Sequence, residues 1–74
     1  MTKFKDPARQ RSYLYAKANH DRLIKGQNGP AMAYNRGYNN GSTLWPREWS
    51  CYPYWAAGRD NRRKHERNAA HDQV

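Results

Sequence analysis

The sequence predicts an all-α protein in which two packed helices form a small hairpin with an aromatic core. Residues 28–70 form the hairpin domain, residues 1–27 a basic N-terminal arm that is helical or partly disordered, and residues 71–74 a disordered tail. Turn residues divide the 74-residue chain into three stretches with helical spacing. Only six residues are Leu, Ile, Val or Phe, so three Trp and six Tyr must supply most of the buried area.

The N-terminal arm carries the signals of a helix from about residue 7 to 25. Asp6 followed by Pro7 is a typical start, because Asp caps free amides and Pro suits the first helical position. Gly26 is a matching stop. The apolar side follows helical spacing through Tyr13, Ala16, His20, Leu23 and Ile24.

The two hairpin helices each present small and aromatic residues on one face. The first begins at Pro30 and closes at Asn39-Asn40-Gly41, and the second runs from Pro53 to about Asn68 or Ala70. Glycine inside a helix costs about 1 kcal/mol relative to alanine, which predicts a packing reason for Gly37, such as the close approach of another helix. The predicted core of the hairpin consists of Tyr34, Gly37, Tyr38, Gly41, Trp49, Tyr54, Trp55, Ala57 and Gly58.

The segment from Ser42 to Cys51 is predicted to be a loop or a short helical turn. It carries Trp45 and Trp49, four residues apart. Either both rings cap the core, or at least one is an exposed anchor for a partner, since Trp is enriched among interface hot spots. We expect Trp49 in the core and Trp45 as the anchor.

The formal net charge of +8 and the pI near 10.1 favour an acidic protein surface or a phosphate backbone as the partner. The alternative is a solvated face that binds nothing. Arg59, Arg62, Arg63 and Arg67 share one side of the last helix. The residues predicted to bind a partner are Arg36, Trp45, Arg47, Arg59, Arg62, Arg63, Lys64, Arg67, Lys3, Lys5, Arg9 and Arg11.

The sequence offers no pattern for a catalytic, metal or cofactor site. Cys51 is the only cysteine, and the three histidines lack the spacing of a zinc module or of an HExxH helix. With no signal peptide and no apolar run long enough to span a bilayer, we expect a monomeric protein in the bacterial cytoplasm, without a membrane partner.

Three short motifs lie within residues 31–60: Arg36-Gly37-Tyr38-Asn39-Asn40-Gly41, Cys51-Tyr52-Pro53-Tyr54 and Trp55-Ala56-Ala57-Gly58. They look like the R-G-Y-x-x-G, C-P-Y and W-x-x-G elements of the ribosome modulation factor family, which this part of the chain resembles. Here Tyr52 stands between Cys51 and Pro53, and the segment that separates the last two elements is missing. The resemblance implies a helical hairpin that binds ribosomal RNA.

As a whole, the chain is similar in size and character to small basic regulators of lytic bacteriophages, including that of a Xanthomonas phage. This resemblance implies binding to host RNA polymerase and inhibition of initiation, with displacement of the sigma factor, or antitermination. We therefore expect a non-enzymatic transcription regulator that binds RNA polymerase subunits. The alternatives are a ribosome-binding factor and a simple nucleic-acid-binding protein.

Overall fold

Four helices pack together over the part of the chain that a computed structural model describes, residues 4–72. They are α1 (Pro7–Ala18), α2 (His20–Lys25), α3 (Gly29–Asn39) and α4 (Tyr52–Asp72). The predicted all-α class is confirmed, and α3 and α4 form the hairpin. None of the described helices is both long enough and apolar enough to cross a membrane.

The prediction of a single helix over residues 7–25 is wrong, because the helix is interrupted at Asn19. Its backbone leaves the helical region (φ −121°, ψ 45°), and its side-chain amide donates to the Tyr15 carbonyl at 2.7 Å. An Asn side chain that bonds the preceding turn competes with the helical backbone in this way. The predicted start is confirmed, since the Asp6 carboxylate accepts from the Ala8 amide at 2.9 Å.

The N-terminal segment belongs to the core and does not merely precede the hairpin. Tyr13, Ala16 and Leu23 are buried, and Ile24 packs against the same cluster. A hairpin with so few aliphatic residues leaves its aromatic side uncovered, and α1 and α2 cover it.

Both hairpin helices begin one residue earlier than predicted. At the start of α3, the Asn28 side chain accepts from the Ala31 amide at 2.9 Å. Helix α4 continues through Asp72, so residues 71 and 72, expected in a disordered tail, are helical. Gln73 and Val74 lie outside the described residues.

Helices α3 and α4 cross with their backbones in direct contact at two glycines. A Cβ atom on Gly37 would overlap the Trp55 carbonyl oxygen and lie 2.8 Å from its carbonyl carbon. A Cβ atom on Gly58 would overlap the Tyr34 carbonyl oxygen and lie 2.9 Å from the Tyr38 nitrogen. Each glycine therefore admits the other helix's backbone, which is the packing reason that the sequence indicated for Gly37.

The core forms around this crossing. Trp55 and Tyr34 are among the largest fully buried side chains, and Gly37, Ala57 and Gly58 are also buried. Of the other residues predicted for the core, Gly41 is half-buried, and two tyrosines pack against the core while partly exposed, Tyr38 and Tyr54.

The prediction that Trp49 belongs to the core is wrong. Its side chain is 50% exposed, whereas Trp45 is half-buried and packs against the core. The two rings meet edge to face, 5.1 Å apart. Because residues 42–51 form turns and no helix, the four-residue spacing does not place both rings on one side.

Candidate binding surfaces

A polar network centred on the buried Asn61 joins α1, α2, α3 and α4. Asn61 is 3% exposed, and its amide donates to the Tyr34 hydroxyl at 2.7 Å and to the Lys17 carbonyl at 3.2 Å. The Tyr34 hydroxyl lies 2.6 Å from Nδ1 of His20. Since that hydroxyl already accepts from Asn61, its own proton is directed to Nδ1, which suits a neutral His20.

A second histidine faces the first. The rings of His20 and His65 are 4.9 Å apart, and Nδ1 of His65 lies 2.8 Å from the Tyr38 hydroxyl. Burial, and then the charge of His65, lower the pKa of His20 below its usual value. The network thus disfavours a charged imidazole at His20.

Sequence reasoning missed this network, although one signal pointed to part of it. Asn61 continues the spacing of Tyr54, Ala57 and Gly58 on the packed side of α4. A polar residue at a buried helical position predicts a hydrogen-bonded partner, because an unpaired buried amide is costly. No comparable pattern brings together His20 and His65, which are 45 positions apart in the sequence.

The outer side of α4 carries four exposed cations, here called the cationic face: Arg62, Arg63, Lys64 and Arg67. Arg62 is fixed in place. Its Nε lies 2.7 Å from Oε1 of Glu66, one helical turn further on, and its Nη1 donates to the Tyr38 carbonyl at 3.3 Å. The guanidinium also lies 5.3 Å from the centre of the Tyr38 ring. One cation of the face is therefore oriented before any partner arrives.

Arg59 lies between the core and the cationic face. Its side chain is only 17% exposed, and its guanidinium lies 5.0 Å from the Trp55 ring centre. Its Nε is 3.3 Å from Oδ1 of Asp60, whose other carboxylate oxygen accepts from the Tyr13 hydroxyl. Burial and this bond to Asp60 raise the pKa of Tyr13 above its ordinary range. Arg59 thus supports the fold as well as facing outward.

Among the N-terminal cations, too, one has a structural role while others are exposed. Arg9 donates to the carbonyls of Arg47 and, at 3.0 Å, of Trp49, so it ties the 42–51 loop to α1. Lys5 and Arg11 are exposed, while Lys3 lies outside the described residues. Arg9 was predicted as a partner contact, and the structure gives it a structural role in addition.

An apolar surface lies where the 42–51 loop meets α3. We call Met32, Trp45 and Trp49 the loop patch. They line one concavity of about 450 Å³, and Met32 and Trp49 are 54% and 50% exposed. Arg36 lines an adjoining concavity with Met32 and Trp45, which places a cation at the edge of the patch. Of the two tryptophans, the more exposed Trp49 is thus the better candidate for an anchor.

Two further concavities are lined by arginines. The crossing concavity, of about 230 Å³, is lined by Gly37, Gly41, Ser42, Arg59, Arg62 and Arg63. The N-terminal concavity, of about 200 Å³, is lined by Phe4, Arg9, Arg47, Tyr52 and Arg59. Arg59 lines both, so the two are neighbours. Gly41 leaves room for it, since a Cβ there would lie 2.9 Å from the Arg59 Cγ.

Within the described part of the chain, no three His, Cys, Asp or Glu side chains gather as metal ligands. Comparisons of the chain with protein families, with curated proteins and with solved structures find no match. The described surface offers two features for binding: a loop patch suited to apolar contacts and a set of arginines suited to anions.

Proposed function

We propose that this protein is a non-enzymatic regulator that docks on bacterial RNA polymerase in the host cytoplasm and modulates transcription. One observation carries the proposal: the loop patch exposes Trp49 and Met32 beside Arg36. Aromatic residues, Met and Arg are the side chains enriched at protein–protein interfaces, and Trp and Arg are frequent hot spots. This chain has few apolar side chains to bury, so a Trp that remains half-exposed favours a protein partner that covers it.

The cationic face gives this docking its speed and orientation. An acidic surface on the polymerase would attract this face, because complementary charge raises association rates more than it raises affinity. Arg62 is already held by Glu66 and Tyr38, so little side-chain freedom is lost there on binding. Binding to a surface that the sigma factor also uses would block initiation, and we include this step in the proposal.

The second candidate is a ribosome-binding factor, and the helix crossing favours it. The elements that resemble the ribosome modulation factor family contain Gly37, Gly41 and Gly58, and two of these, Gly37 and Gly58, lie where α3 meets α4. The resemblance therefore coincides with the packing of the hairpin. The arginines of α4 would then contact ribosomal RNA.

The decisive experiment is a tagged pull-down from bacterial lysate with nuclease treatment, read by mass spectrometry. The polymerase proposal expects polymerase subunits to survive nuclease. Purified polymerase should then bind the parent protein directly and bind Trp49→Ala at least tenfold more weakly, since a hot-spot residue contributes about 2 kcal/mol or more. Leu14→Ala is the matched control, because Leu14 is 53% exposed on α1, away from the patch.

Three outcomes separate the candidates. Recovery of ribosomal proteins, with co-sedimentation of the protein in a sucrose gradient, would replace the first proposal with the second. Loss of every partner on nuclease treatment would leave plain nucleic-acid binding. If Trp49→Ala and the parent bind polymerase with equal affinity, the loop patch is not part of the interface.

A further inference from the structure

We infer that the two arginine-lined concavities form a track for the phosphates of a single nucleic-acid strand. This surface is separate from the loop patch and goes beyond docking on a protein. The track is defined by the five arginines that line the two concavities: Arg9, Arg47, Arg59, Arg62 and Arg63.

The two concavities adjoin and are both positively charged. Arg59 lines both concavities, so the two positions adjoin and suit neighbouring phosphates of one strand. Among the described residues that line either concavity, none is a carboxylate. Two acids of α4, Asp60 and Glu66, are each paired with an arginine of the track at a single nitrogen. The track therefore keeps a positive excess.

Two arginines of the track, Arg59 and Arg62, are held in place by aromatic rings. The guanidinium of Arg59 stacks on Trp55, and that of Arg62 stacks on Tyr38 and donates to its carbonyl. A guanidinium has five N–H donors in a planar fork that matches phosphate oxygens. Arg59 and Arg62 each use one N–H on a carboxylate, which leaves donors for a ligand.

The size and the aromatic lining of the concavities favour a single strand. Each concavity has room for one small anionic group, at about 200 and 230 Å³. The half-buried Phe4 lines the N-terminal concavity and offers it an aromatic ring, and the buried Tyr52 supports that ring edge to face at 6.0 Å. Cationic grooves with aromatic side chains are typical of sites for single strands.

The test is fluorescence anisotropy of the full chain with labelled oligo-U, oligo-dT and a duplex of the same length, each of about 12 nucleotides. Binding of the single strands should weaken with salt, and three to five phosphate contacts predict a log–log slope of about −2 to −3.5. Tighter binding of oligo-U than of oligo-dT would assign RNA, and the reverse would assign DNA. Duplex binding tighter than either single strand would overturn the proposal.

Matched variants test the position of the track. Arg63→Ala should lower single-strand affinity about fivefold or more and reduce the slope by about 0.7, the share of one contact. Arg67→Ala removes the same charge from the same helix outside both concavities, and should change affinity less than twofold. Arg63→Lys, which keeps the charge and loses the fork, should fall between the parent and Arg63→Ala. Equal losses for Arg63→Ala and Arg67→Ala would refute the track and leave only general charge attraction.

Failure of this inference can be distinguished from failure of the polymerase proposal. Trp49→Ala should lose polymerase and keep full oligonucleotide affinity, because Trp49 lines neither concavity of the track. A Trp49→Ala protein that folds like the parent and loses oligonucleotide binding would contradict the separation of the two surfaces.

Discussion

Adding one methyl group at the helix crossing is the sharpest test of the fold. Gly37→Ala and Gly58→Ala each place a Cβ atom against the backbone of the facing helix. At Gly37 the atom would overlap the Trp55 carbonyl oxygen and lie 2.8 Å from the carbonyl carbon, while ordinary contact begins at 3.4 Å. The carbon alone requires the helices to separate by about 0.6 Å, and the nearer oxygen requires more. Backbone gives way only if the helices move apart, and a gap of that size removes about a quarter or more of each contact energy around Trp55 and Tyr34.

The magnitude follows from two opposing effects. Alanine in place of glycine stabilises a helix by about 1 kcal/mol. Overpacking costs about 1–3 kcal/mol and occasionally more, and a collision with backbone belongs at the upper end. We expect a net loss of about 2 kcal/mol for each variant, a large share of the roughly 4–11 kcal/mol typical of a protein this size.

Urea unfolding followed by circular dichroism measures this loss. Gly29→Ala is the matched control, since Gly29 also lies in α3 and its Cβ would meet only the Cys51 sulfur, at 3.9 Å. That variant should be as stable as the parent or slightly more stable. A Gly37→Ala protein as stable as Gly29→Ala would show that the helices do not cross as closely as described.

Two further predictions concern the histidine pair and the tryptophans. Because the folded pKa of His20 is lowered, the unfolded chain binds more protons as pH falls through about 6.5, and stability should decline there. His20→Gln should flatten that part of the Tm–pH curve between pH about 5 and 8, and identical curves for the two proteins would rule out His20 as the source. Trp55→Ala should cost about 3–5 kcal/mol in urea unfolding because the ring is fully buried, whereas Trp49→Ala should cost well under 1 kcal/mol. Comparable losses for the two would mean that Trp49 is part of the core.

Those elements of the fold that rest on local chemistry could be predicted from the sequence. Asp6 with Pro7 sets the start of α1, and Pro30 predicted the start of α3 to within one residue. The glycines predicted the close crossing because an interior helical glycine is costly unless something needs the space. These signals act within a few residues, so sequence carries them directly.

The parts that failed depend on contacts between distant segments. Helical spacing runs through Asn19 without interruption, and only the bond from its side chain to Tyr15 shows the break. The exposure of Trp49 follows from the path of a loop that Arg9 ties to α1 from 40 positions away. A pattern read along the chain contains neither fact.

Contacts between distant segments also give the arginines different roles, although the composition counts them all simply as positive charges. Arg9 holds a loop, and Arg59 covers Trp55 while it pairs with Asp60. Arg63 and Arg67 are both exposed, but Arg63 lines the crossing concavity and Arg67 does not. With few aliphatic side chains, this protein uses the stems and planes of some arginines as packing material. Loss of binding after removal of Arg9 or Arg59 would therefore report a changed fold, and only exposed arginines such as Arg63 and Arg67 can separate a phosphate contact from general charge.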